Sequence, residues 1–217
     1  MASLIHTALD RIMSVLFPER CIGCSKNGGF LCRECALKTK RQIRNKGSLL
    51  FLDRLYYWGI YEDRTLSEAL RRFKYHGVSS LVSIFSEMLA EVISPHLPSL
   101  KKEALIIPIP ASRQRKRMRG YNQAELLAEK LSEKIFTPLR SDILAKIRNT
   151  TSQTELAGRE RLFNMKNSFG VLKPDAIKNK KIILVDDITT TGATLSEAAR
   201  VLKETGAREV IGLVVAR

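Results

Sequence analysis

Apolar positions along this chain alternate between two periods. Ile182-Ile183-Leu184-Val185 is an unbroken apolar run, which suits a strand covered on both faces. Behind it Leu195, Ala199 and Leu202 recur at helical spacing, and Thr194-Leu-Ser-Glu197 reads as a capping box opening that helix. The same rhythm runs backward. Leu55-Tyr-Tyr-Trp-Gly-Ile-Tyr61 is rich in aromatic strand formers, with Trp58 expected to pack, and Leu66, Ala69, Leu70 and Phe73 mark a helix. A second helical pattern covers Leu81 to Ile93, closed by Pro95 and Pro98. Ala104 to Pro110 reads as a buried strand ending in prolines, Gln123 to Lys134 as a helix, and Asp142 to Ile147 and Glu209 to Ala216 as further strands. Alternating strands and helices predict an α/β fold, a doubly wound, mostly parallel sheet, whose ligand belongs at the carboxyl ends of the strands.

The first 50 residues follow another pattern. Leu4, Ile5, Ala8, Leu9, Ile12, Met13 and Leu16 share one helical face, interrupted by Asp10 and Arg11 where a signal peptide would need its apolar centre. A retained amphipathic helix packed on the protein's own body is expected; binding at a membrane surface would need a basic polar face that it lacks. No apolar run approaches the ~18 residues that span a bilayer, so no integral membrane span and a cytoplasmic location are expected. Cys21-x2-Cys24 and Cys32-x2-Cys35 hold all four cysteines of the chain. Two such knuckles present four thiolates tetrahedrally to Zn²⁺, with Gly23, Gly28 and Gly29 relieving the turns. A site with no open position is structural, and a module with so little core takes its folding energy from the metal. His6, His76 and His96 lack ligand spacing to these thiols and read as surface or packing residues. Lys38, Lys40, Arg41, Arg44 and Lys46 form a basic connector. The division is therefore residues 1–50, carrying the amphipathic helix, a small zinc-ribbon-like module and the connector, and residues 51–217, the α/β domain.

Two segments carry candidate chemistry. Asp186-Asp187-Ile-Thr189-Thr190-Thr191-Gly192-Ala193-Thr194 joins a carboxylate pair at a strand end to a loop of hydroxyls, a glycine and a helix N-terminus. That loop suits a phosphate, held by backbone N–H groups and threonine hydroxyls. No lysine follows the glycine, so it is not a P-loop; the adjacent acids suit a sugar diol. The strand ending at Pro110 discharges into a cationic loop containing Ser112, Arg113, Arg115, Lys116, Arg117 and Arg119, a second anion site rich in bidentate donors. Lys74 is a further phosphate contact or a helix C-terminal cation suited to the dipole. A net charge of +15, with 37 lysines and arginines, exceeds what two phosphate loops require and points to a polyanion such as nucleic acid. No helix-turn-helix, finger or aromatic-glycine signature accompanies it, so only backbone contact with occasional stacking is expected.

Hydrophobic strand, Asp-Asp, then Thr-Thr-Gly-x-Thr resembles the phosphoribosyl pyrophosphate (PRPP) signature of type I phosphoribosyltransferases. The resemblance implies that Asp186 and Asp187 hold the ribose hydroxyls, Thr189 to Thr194 the 5′-phosphate, and Ser112, Arg113, Arg115, Arg119 and Lys74 the pyrophosphate, with Mg²⁺ accompanying PRPP. It also implies that the polar stretch Arg148 to Asn164 is a flap closing over the ligand. Pro108-Ile-Pro110-x8-Arg119-Gly-Tyr-Asn-Gln123, Arg148-x2-Thr151-x-Gln153-x2-Leu156-x4-Arg161-x2-Asn164-x4-Phe169 and Phe17-Pro18-x2-Cys21 are similar to the ComF family. That likeness implies a role in bacterial natural transformation, handling internalised single-stranded DNA with the competence or recombination machinery. Two readings stay open: a PRPP-binding DNA adaptor without turnover, or an active phosphoribosyltransferase acting on an unidentified base or amine.

Overall fold

The computed structural model describes residues 19–40, 43–45, 49–76, 79–100, 103–148 and 166–217. The expected N-terminal helix, Phe17-Pro18, Arg41, Lys46 and all but the first residue of the expected flap lie outside them. In chain order the elements are α1 (Arg33–Lys38), β1 (Ile43–Asn45), β2 (Arg54–Gly59), α2 (Arg64–His76), α3 (Ser79–Ile93), α4 (Leu97–Leu100), β3 (Ala104–Pro108), α5 (Arg113–Arg119), α6 (Gln123–Ile135), β4 (Leu144–Lys146), β5 (Phe169–Val171), β6 (Lys181–Ile188), α7 (Ala193–Glu204) and β7 (Glu209–Ala216).

Five strands form one sheet in the order β1-β2-β7-β6-β3. The β2, β7, β6 and β3 strands run parallel and only the edge strand β1 is antiparallel. The sheet is mostly parallel because its inner strands are apolar on both faces: Ile183 and Val185 of β6 join one core, Ile182 and Leu184 the other. The first core takes Leu66, Leu70 and Phe73 of α2, Phe85 and Leu89 of α3, and Leu127 and Leu131 of α6. Leu195, Ala199 and Leu202 of α7, the expected stripe, fill the second. Helices thus cover both faces, and every parallel strand delivers its carboxyl end to one edge. Trp58 is buried, its indole N–H donating to Ala36 O at 3.2 Å and Thr39 Oγ1 at 3.1 Å. His96 stacks on Tyr56 with ring centroids 4.4 Å apart.

Three expectations are corrected. The segment from Asp142 to Ile147 forms only the short β4, which leaves the main sheet and pairs antiparallel with β5, a strand the pattern did not announce. Ile147 is 65 % exposed, so this stretch lacks the two-sided burial of an inner parallel strand. The cationic loop after Pro110 is largely helix α5: Ser112 Oγ accepts from Arg115 N at 3.3 Å, and Gly120, at φ 80°, donates its N–H to Lys116 O. An N-cap serine and a C-terminal glycine make a helix without any apolar stripe. Finally, no capping box opens α7. The helix starts at Ala193 from Gly192 in the left-handed region, and the Glu197 carboxylate instead accepts from Asn167 N at 2.6 Å and pairs with Arg200 at 2.7 Å.

Candidate ligand cleft and metal centre

The carboxyl ends of β6 and β3 open a cleft between them. Asp186 and Asp187 directly precede Ile188, the last residue of β6, and Ser112 ends the turn that follows β3. A cavity of about 200 Å³ is lined by these residues with Lys74 of α2, Arg115 and Arg119 of α5, Lys146 of β4 and Thr194 of α7. The structure therefore brings together seven residues singled out from sequence: Lys74, Ser112, Arg115, Arg119, Asp186, Asp187 and Thr194. Arg113 is exposed on the outer side of α5 and does not line this cavity.

The rest of the threonine loop is shared among other contacts. Thr189 is buried and its N–H donates to Ala216 O at 3.0 Å, which commits that donor to the sheet. Thr190 lines a neighbouring cavity with Tyr57, Tyr61 and Arg217. Thr191 Oγ1 accepts from Ala193 N at 3.4 Å, tightening the turn, and Ala193 faces an apolar groove beside Leu50 and Phe51. Gly192 is required twice, because its φ is +77° and a Cβ there would meet the Leu49 side chain at 2.0 Å.

Charge in the cleft is uneven. Four cations line it against two carboxylates. Asp187 is 7 % exposed, and its Oδ2 has no hydrogen-bond partner; Lys74 Nζ stands 3.6 Å away. Burial, followed by the neighbouring Asp187 charge, pushes the Asp186 carboxyl well above the ordinary carboxylate range. Burial, followed by Arg115, pulls the Lys146 ammonium below the ordinary lysine range, with Asp186 opposing. An anion placed between Lys146 and Arg115 would oppose the second shift, and a hydroxyl donor on Asp187 would satisfy its buried oxygen. The arrangement suits a ligand with both a diol and a multiply charged anionic group.

Lys146 was not singled out from sequence, since nothing local marks a lysine on a three-residue strand as facing a cleft formed far away in the chain. Asn122 and Gln123 also line the cavity. Asn122 Nδ2 donates to Ile109 O at 3.1 Å, and Gln123 Oε1 accepts from Arg119 Nη1 at 3.1 Å while its Nε2 donates to Lys74 O at 3.3 Å. Their run, Arg119-Gly-Tyr-Asn-Gln123, was the signal available.

The second centre is the cysteine cluster. The sulfurs of Cys21, Cys24, Cys32 and Cys35 all lie within 4.8 Å of one another, and Cys24 and Cys32 stand 3.7 Å apart. Tetrahedral Zn²⁺ with Zn–S bonds of about 2.3 Å spaces its sulfurs about 3.8 Å apart, so the four cysteines are close enough together to bind one ion. Gly23 makes the close approach possible, because a Cβ there would lie 2.7 Å from Cys35 Sγ. Burial raises the Cys21 thiol, yet N–H donors from Cys32, Gly23 and Cys24 outweigh it and hold the group at about 6. Burial, then the other thiols, pushes Cys35 up to about 12. The module is not detached: Cys21, Leu31, Cys35 and Ala36 belong to the same core as Trp58 and Leu66.

The fold and cleft define a class first. The phosphoribosyl transferase domain profile matches residues 118–217, which contain α6, β6, the carboxylate pair and the threonine loop, and the sheet is of the phosphoribosyltransferase kind. Longer similarities narrow it. The chain is 35 % identical to competence protein ComFC of Bacillus subtilis over 176 residues, 81 % of this chain and 67 % of that protein. It is 29 % identical to competence protein F of Haemophilus influenzae over 199 residues, 88 % of this chain and 86 % of that one. DNA utilization protein YhgH of Escherichia coli is 31 % identical over 147 residues, 67 % of this chain and 64 % of its own length. The chain belongs to the ComF family of competence proteins, with a phosphoribosyltransferase domain and a four-cysteine cluster.

Proposed function

We propose that this protein binds PRPP with Mg²⁺ and acts in the cytoplasm during natural transformation, handling internalised single-stranded DNA. The observation that carries the ligand is the opposition within one cleft of Asp186 and Asp187, one with a buried oxygen lacking a hydrogen-bond partner, to Lys74, Arg115, Arg119 and Lys146. A ribose diol fits the carboxylates, the 5′-phosphate fits the turn from Thr189 to Thr194, and the pyrophosphate fits the cations. Mg²⁺ is held by phosphate oxygens and water with little help from the protein, as its hydration favours. The names of the relatives, competence and DNA utilization proteins, support the physiological setting. Among the described residues no helix is long and apolar enough to cross a membrane.

The second reading, turnover to an unidentified base or amine, is favoured by the same charge separation. Cations on the departing pyrophosphate and carboxylates beside the sugar both stabilise positive charge developing at C1. Calorimetry with PRPP and Mg²⁺ tests the first reading, with saturable binding expected; a flat titration at concentrations that saturate a control phosphoribosyltransferase would sink it. Pyrophosphate release on adding candidate acceptors separates the two readings.

The DNA component rests on charge. Arg113 and Arg117 are exposed on α5 and do not line the cleft cavity, whereas Lys40 of the connector is engaged with Glu91 and stands 5.0 Å over the Trp58 ring. Single-stranded DNA is expected to bind without strong sequence preference, and its affinity to fall steeply with salt, by a log–log slope of about −0.7 for each phosphate contacted. Neutralising the cluster from Arg113 to Arg119 together with the connector from Lys38 to Lys46 should weaken binding and flatten that slope. Unchanged affinity and slope would remove nucleic acid from the proposal.

A further inference from the structure

Helix α2 touches both centres. At the cysteine module, the Arg72 guanidinium lies 5.0 Å over the Phe30 ring, Thr65 Cγ2 stands 3.4 Å from where a Gly23 Cβ would be, and Leu66, Ala69, Leu70 and Phe73 share a core with Cys21, Leu31 and Cys35. At the cleft, Tyr121 Oη donates to Phe73 O at 2.8 Å and Gln123 Nε2 donates to Lys74 O. The last turn of the helix is thus gripped by side chains, and Lys74 leaves it toward Asp187 Oδ2. Lys74 follows Thr65 by nine residue steps of helix, about 14 Å of rigid rod.

We propose that α2 is a strut that couples the four-cysteine module to the cleft, with Phe30, Arg72, Tyr121 and Gln123 as positioning residues for Lys74, so that Zn²⁺ and PRPP bind with positive linkage. This rests on the reading of the cleft as a PRPP site. The physical content is simple. The lysine can bridge Asp187 and an incoming phosphate only while the C-terminal turn of α2 is held in register, and one side of that helix is held by a module that the metal organises. Linkage is reciprocal, so PRPP must tighten zinc by the same factor by which zinc tightens PRPP. The cysteine module then serves the ligand site from outside it.

The test is a cycle of variants in the full chain, titrated with PRPP and Mg²⁺ by calorimetry. Cys24→Ser removes an exposed ligand and the metal, and circular dichroism checks that the sheet persists; Arg72→Ala breaks one module contact with zinc still bound. Each is expected to weaken PRPP, Cys24→Ser by about 5-fold or more. Lys74→Met should weaken PRPP by itself, and adding Cys24→Ser or Arg72→Ala to it should cost nothing further, because the route has already been cut. In the reciprocal arm, saturating PRPP and Mg²⁺ should reduce zinc transfer to a zinc-selective chromophoric chelator in the natural protein but not in Lys74→Met. Additive losses, or an Arg72→Ala protein that binds PRPP like the natural one, would overturn the strut. If Cys24→Ser does not fold, the Arg72 and Lys74 pair decides alone. A flat titration of the natural protein would instead remove the PRPP reading and the strut with it, an outcome distinct from normal binding without linkage.

Discussion

Asp187→Asn is expected to weaken PRPP binding by on the order of 1.5–3 kcal/mol, tenfold or more in Kd, with folding nearly unchanged. The carboxylate loses its charge, and one of its two acceptors becomes a donor. Its Oδ2 is buried without a hydrogen-bond partner and lies 3.6 Å from the Lys74 ammonium, so an amide either turns its NH₂ toward a cation or withdraws the acceptor from a ribose hydroxyl. Neither is favourable. Folding is spared because the flanking Asp186 and Ile188 keep their pairing with β7, and because removing the charge relieves the repulsion that raises Asp186. Calorimetry on the variant, with thermal denaturation beside it, reads both quantities. An Asp187→Asn protein that binds PRPP as tightly as the natural one would show that this carboxylate does not hold the sugar.

Cys21→Ser is expected to abolish a stoichiometric zinc and to loosen the chain from residue 19 to the module face of α2. Structural zinc in small modules contributes about 10–16 kcal/mol of apparent binding energy at neutral pH, far more than 22 residues whose buried apolar side chains other than cysteine are Leu31 and Ala36 can replace. The effect extends into the larger domain because Ala36 O and Thr39 Oγ1 accept the Trp58 indole N–H. As the module loosens, the sole tryptophan loses both acceptors and meets water, so its emission should shift to the red. The inner strands β7 and β6 and the edge strand β3 keep their own pairings and should retain amide protection, leaving the parallel sheet standing. Elemental analysis, tryptophan emission and hydrogen exchange measure these three outcomes. Protein purified without chelator that contains no zinc would dispose of the metal, and an unshifted emission in the variant would dispose of the coupling to Trp58.

Much of this molecule is legible from local pattern. The strands β2, β3, β6 and β7, the stripe of α7 and the boundaries of α6 follow from periods of two and 3.6 and from flanking prolines and glycines. So do the two chemical signals. Adjacent acids at the end of an apolar strand stand at the carboxyl edge of a parallel sheet whatever the rest of the chain does, and four cysteines at knuckle spacing can meet around one centre within a single short segment. Where the pattern failed, a local rule met a competing interaction. Glu197 has the spacing of a capping box, but Asn167 N and Arg200 claim its carboxylate from outside the helix start. The run from Arg113 to Arg119 reads as loop because it has no apolar stripe, although Ser112 and Gly120 carry both cap signals.

By itself the sequence determined the class of fold, the carboxylate pair, the threonine turn and the four-cysteine cluster, because each is encoded in a contiguous run whose geometry the backbone sets. Only the tertiary structure decided which cations face that turn. Lys74, Arg115 and Lys146 reach one cleft from a helix end, a short helix and a two-stranded sheet, and no periodicity relates them. It also decided that Tyr121 and Gln123 hold the end of α2, 48 and 49 residues away in the chain. Such contacts depend on where the chain returns, which is set by the packing of both cores against the sheet and by no residue's immediate neighbours.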